Sequence, residues 1–134
     1  MLEFHAWITI RETYKAVDNE EENIDLIVQD IRDRIEKLHW NKPEIKVMNG
    51  EYFMEISLFS NHKTKVINEL FDLFTDIARH ATGSYGLIYM LDDEDTNDKF
   101  NEFQVYSISR GHLHAHKDKF LSPFIPTVED EIEF

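Results

Sequence analysis

Between Phe4 and Glu12 the chain mixes aromatic and β-branched residues in a short run, which reads as a first strand. After the polar segment Asp18 to Asn23, apolar residues recur at Ile24, Ile27, Val28, Ile31, Ile35 and Leu38, the spacing of one helical face. The glutamates Glu20 to Glu22 near its start favour the positive end of the helix dipole. Asn41-Lys42-Pro43 is expected to end the helix, because proline disfavours helical geometry in the residue before it. Glu44 to Met48, Asn49-Gly50 and Glu51 to Phe59 then form the strongest hairpin signal in the chain, since Asn-Gly tolerates the positive φ angles of a type I′ turn. In the second arm Tyr52, Met54, Ile56 and Leu58 alternate with more polar positions and should meet the core.

A second helix, capped at Ser60 or Asn61, carries a broad apolar stripe at Val66, Ile67, Leu70, Phe71, Phe74, Ile77, Ala78 and Ala81 and closes at Thr82-Gly83. Ser84 to Leu91 has apolar residues on both faces and suits a central strand covered on both sides. Asp92 to Lys99 reads as a polar loop, Glu102 to Arg110 as another strand, and the His-rich stretch after Gly111 as irregular. The order is β-α-β-β-α-β-β. Strands clustered in hairpins, with two helices that each need a sheet to cover, predict an α+β fold with a largely antiparallel sheet and both helices on one face. No repeat or linker interrupts residues 1–134, and a single domain is expected.

Charge changes the picture most. The chain has 27 Asp and Glu against 14 Lys and Arg, a net charge of -13. Apolar residues still make up 42%, which sets aside the disordered class. Such a balance repels nucleic-acid phosphates and anionic lipid, so neither a direct nucleic-acid partner nor a membrane is expected, and it steers cationic partners inward. With no cysteine, disulfides, zinc-thiolate sites and thiol nucleophiles are excluded. No secretory leader is legible and no apolar stretch approaches the ~20 residues that span a bilayer. A cytoplasmic location is the expectation.

The acidic excess gathers in Asp92, Asp93, Glu94 and Asp95 and in Glu129, Asp130 and Glu131. Both clusters are read as candidate partner-binding residues, with Tyr89 as the aromatic anchor beside the first. Other chemistry is poorly supported. Asp93, Asp95 and Asn97 begin a calcium-loop pattern, but Asp98 stands where glycine is needed and Gln104 where the bidentate glutamate is needed. Gly83-Ser84-Tyr85-Gly86 lacks the first glycine of a nucleophile elbow, and both glycines read as backbone geometry, a helix C-terminal turn and a close approach. His112, His114 and His116 alternate and would share one face in an extended segment, yet no carboxylate is spaced to complete a metal motif. No catalytic residue, metal site or cofactor is therefore assigned.

Gly83-Ser84-Tyr85-Gly86-Leu87-Ile88-Tyr89, Asp92-Asp93-Glu94, Arg110-Gly111, Leu121-Ser122-Pro123 and Pro126-Thr127-Val128-Glu129-Asp130, together with the Trp7 strand, resemble immunity protein family 7 of bacterial polymorphic toxin systems. The resemblance covers nearly the whole chain. It implies a small, non-enzymatic α+β protein that binds and neutralises a cognate toxin domain made by the same cell. Acidity adds the expected mechanism, an acidic surface that caps a basic, nuclease-type toxin. An acidic interaction or regulatory module and a metal-dependent enzyme using the histidines and nearby carboxylates are the alternatives.

Overall fold

The structure, a computed structural model, describes residues 1–13, 23–38 and 42–126. Its elements are β1 (Leu2–Ile10), α1 (Ile24–Glu36), β2 (Glu44–Met48), β3 (Glu51–Ser60), α2 (Lys65–His80), β4 (Tyr85–Asp92), β5 (Gln104–Ser109) and β6 (His112–Lys117). The described strands form a six-stranded sheet in the order β2-β3-β1-β4-β5-β6, antiparallel at every pairing. The expected α+β class and the order β-α-β-β-α-β-β hold through β5. The His-rich stretch is a sixth strand rather than an irregular segment. It follows a tight turn in which Arg110 and Gly111 both have positive φ, and it pairs with the outer backbone groups of β5.

The central place of β1 follows from its alternation. Leu2, Phe4, Ala6, Ile8 and Ile10 point to one side and are all buried. In register beside them lie Met54, Ile56 and Leu58 of β3 and Ile88 and Met90 of β4, continued by Ile108 of β5. α2 lays Val66, Ile67, Leu70, Leu73, Phe74, Ile77 and Ala78 into this core, and α1 adds Val28, Ile31 and Ile35. Phe71 stands edge-on to Phe4 and to Tyr106, with ring centroids 5.8 and 5.0 Å away. Tyr52 donates to Asp25 (2.6 Å) and Arg34 to Asp76 (2.7 Å), which ties α1 to β3 and to α2.

The Asn49-Gly50 turn has φ of 52° and 79°, the two positive values that a type I′ hairpin requires. α2 starts later than expected, after Thr64, because Ser60 donates instead to His62 O (2.6 Å) in a local turn that precedes the helix. The glutamates Glu20 to Glu22 and the helix-ending Asn41 lie outside the described residues. Gly83 has no positive φ and so is not a left-handed helix terminator; a Cβ there would overlap the Thr13 backbone. β4 is covered on one side, not two. Both helices belong to the face that carries Gly86, Ile88 and Met90, and the opposite face gains only a small second cluster of Leu91, Phe103 and Val105.

Gly86 of β4 is pressed against the β1 backbone, where a Cβ would overlap Trp7 O and crowd Ile8 Cα. Gly86→Ala should therefore cost about 1–3 kcal/mol through forced backbone displacement. Urea unfolding checks it, the expected result being a lower midpoint with an unchanged slope.

Candidate partner-binding face

The register of the sheet lines up one residue from each strand across the face that the helices leave open. Glu44, Glu55, Trp7, Leu87, Ser107 and His114 form one row, and Ser57, His5, Tyr89, Val105 and His116 form the next. Phe59, Glu3 and Leu91 make a third. Three exposed aromatics stand on this face: Trp7 is 43%, Tyr85 46% and Phe59 67% accessible. Trp7 and Tyr85 meet edge to face at 6.2 Å, and Phe59 stands edge-on to His5 at 5.8 Å.

A depression of about 560 Å³ lies in this face, lined by His5, Trp7, Glu44, Glu55, Leu87 and Tyr89 among others. Glu44 and Glu55 stand directly opposite each other on β2 and β3. Lys46 donates to Glu55 (2.5 Å) and lies 4.0 Å from Glu44; the hydrogen bond to Glu55 holds its ammonium above the ordinary lysine range. His5 bridges Glu3 (2.5 Å) and Ser57 (2.9 Å). Large aromatics flanked by carboxylates, on a face that neither described helix covers, are the ingredients of a protein-binding surface.

The loop after β4 uses much of its own charge. Asp92 is buried at the strand end, where its Oδ1 accepts the Glu94 N–H (3.1 Å). Asp93 accepts a hydrogen bond from the Met1 ammonium (2.6 Å), and that bond keeps the amine above its usual pKa. Glu94 is hydrogen-bonded to His62 (2.6 Å) and lies 3.4 Å from the same ammonium; the His62 contact is the main reason its carboxyl sits below the usual range. Asp95 accepts from the N–H groups of Asn97 and Lys99 (2.9 and 3.1 Å). The four acids are thus one folded turn rather than a uniformly solvated cluster. It leaves the sheet at the end where Phe59, Glu3 and Leu91 are in register.

Tyr89 does lie on the open face, half-buried with its ring against Phe103. Glu129, Asp130 and Glu131 fall outside the described residues. In sequence, Trp7 and Tyr85 read as buried aromatics that become anchors only where they emerge beside an acidic cluster; Phe59 gives no such signal, and Glu3, Glu44 and Glu55 are single acids, not runs. One signal was available for Trp7: in β1 it occupies the same alternate set as Glu3, His5 and Thr9, opposite an entirely apolar set. His112, His114 and His116 share the open face as expected, but His116 is hydrogen-bonded to Ser107 (2.6 Å). Among the described residues no three of His, Asp or Glu are grouped so as to hold a metal ion.

At one end of the open face Phe103 packs with Leu91 and Val105, and residues 118–126 fold against Phe103 and Asn101. Buried Asp118 organises them by accepting the N–H groups of Phe120 (3.0 Å) and Leu121 (2.9 Å) and the hydroxyl of Ser122 (2.7 Å). Ser122 accepts from Phe103 N–H, and Asn101 exchanges two hydrogen bonds with Ile125. Burial pushes the Asp118 carboxyl up, but these donors outweigh it and the net shift is downward. The stability it contributes is therefore complete above the ordinary Asp range and lost as pH falls through its lowered value. Hydrogen exchange at Phe120 and Leu121 should accelerate in that acid window, and Asp118→Asn should show the acceleration already at neutral pH.

No helix of the described residues is long and apolar enough to cross a membrane. No curated protein and no solved structure matches the chain. The sequence profile of Immunity protein 7 does, over residues 1–130 of 134. By that match across nearly its full length, the chain belongs to the Immunity protein 7 family.

Proposed function

We propose that this protein is a cytoplasmic, single-domain inhibitor, folded over residues 1–134, that neutralises a cognate polymorphic toxin by binding it and catalyses no reaction itself. Family membership supplies the immunity role. The observation that carries the binding mode is the uncovered sheet face, where Trp7, Tyr85 and Phe59 are exposed beside Glu3, Glu44 and Glu55. Aromatics interleaved with carboxylates give such a face both anchors and steering charge, the two contributions that tight interfaces combine.

The net charge of -13 favours a basic toxin domain of nuclease type. Such an enzyme presents cations to a phosphate backbone, and carboxylates are able to occupy those cations in place of phosphate. Asp93, Glu94 and Asp95 extend the acidic rim from the sheet end, with Asp92 shaping their turn and Tyr89 behind them on the face; Glu129, Asp130 and Glu131 are proposed as further contributors. An interface of roughly 1,600 Å² is ordinary for inhibitors of this size.

Co-expression with the toxin domain encoded beside the gene tests the role, the expected result being host survival and a co-purifying complex. Unrelieved toxicity with no complex would overturn it. For the acidic rim, the triple variant Asp93→Lys, Glu94→Lys, Asp95→Lys should lower the association rate by about tenfold or more at low salt, because rim charges act chiefly on encounter. An unchanged rate in a folded variant would falsify the acidic-rim mechanism and leave the inhibitor role standing.

A further inference from the structure

The register holds Glu44 and Glu55 side by side, an arrangement of like charges that is unfavourable unless a cation lies between them. Lys46 satisfies it unevenly, close to Glu55 and 4.0 Å from Glu44. On the other side of Glu55, Trp7 is directly in register and well exposed, so an indole borders the carboxylate pair. The depression of about 560 Å³ opens over this junction, with Leu87 and Tyr89 forming its apolar flank. Lys42 also lines it, but its ammonium donates to Glu36 O (3.2 Å) at the end of α1.

We infer that this depression is a socket for one cationic side chain, best an arginine, whose guanidinium bonds Glu55 and Glu44 while its plane and stem lie along Trp7. Each property of the site selects for it. Two carboxylates present acceptors for the planar donor fork of arginine. The indole attracts a cation over its face, and the apolar flank takes the methylene stem. Lys46 is the internal cation that the incoming group displaces from Glu55, so that the unbound pair is never left without a counter-charge. The inference rests on the proposed inhibitor role for its biological ligand, a basic side chain of the toxin, but not for its chemistry.

Titration with N-acetyl-arginine methylamide, followed by NMR, tests the socket without any toxin. The expected result is a saturable shift of the Trp7 indole N–H and the Glu55 amide that the neutral isostere N-acetyl-citrulline methylamide does not produce. Glu55→Gln should abolish that shift, and Lys46→Met should strengthen it by removing the competing cation. Equal responses to the two ligands, or a response that survives Glu55→Gln, overturn the socket. Against the toxin domain, Glu55→Gln and Trp7→Phe should each weaken capture, the former by about tenfold, the loss expected for a charge-assisted contact. Capture unaffected by both variants overturns the socket and leaves the inhibitor role intact. Absence of any wild-type complex removes the role alone, and the arginine titration then decides the socket by itself.

Discussion

The burial of one face of β1 beneath α2 is the constraint on which the rest of the structure depends. Every alternate residue from Leu2 to Ile10 is buried, and Phe4 meets α2 directly through Phe71. Fully burying a side chain of this class contributes roughly 1.5–3 kcal/mol, so no other register of β1 competes: a one-residue slip would put the apolar set in water and Trp7, His5 and Glu3 in the core. Once β1 is set, its neighbours follow. β3 and β4 pair on either side with their own apolar sets on the same face, and Tyr106 of β5 completes the aromatic contact begun at Phe4.

That arrangement has a direct consequence for the second face of the sheet. Both described helices serve one face of six strands, which leaves the other face short of cover. At one end Phe103 covers Leu91 and Val105, backed by Phe124 of the segment pinned by Asp118 and Asn101. Over the rest of it no described residue does, and Trp7, Tyr85 and Phe59 remain accessible. Apolar surface held by a rigid sheet costs little to reorganise on binding.

Charge is divided between contacts within the molecule and the open sheet face. Part of the late acidic cluster is engaged within the molecule, where Asp92 shapes a turn and Asp93 and Glu94 hold the Met1 ammonium and His62. Exposed pairs of this kind add little stability individually, but they fix the loop and leave its remaining charge in a defined place. Glu3, Glu44 and Glu55 lie instead on the sheet face beside the aromatics. Acids scattered singly in sequence thus become a patch through strand register, while a contiguous acidic run becomes partly internal.

The periodicities of the chain determined most of its elements. Helical spacing from Ile24 to Leu38 and from Val66 to Ala81, the Asn49-Gly50 turn and the alternation of Tyr52 to Leu58 all rest on local geometry, in which a residue's neighbours in sequence are its neighbours in space. The immunity family was legible too, because its motifs are linear. The rest depended on contacts between distant segments. His112 to Lys117 has little strand propensity of its own and extends only because β5 offers unpaired backbone groups. The apolar residues on both faces of β4 could not reveal which face the helices would take. The grouping of Trp7 with Glu44 and Glu55 exists only where β1, β3 and β2 lie in register, since pairing distances are set by hydrogen-bonded strands and not by separation along the chain.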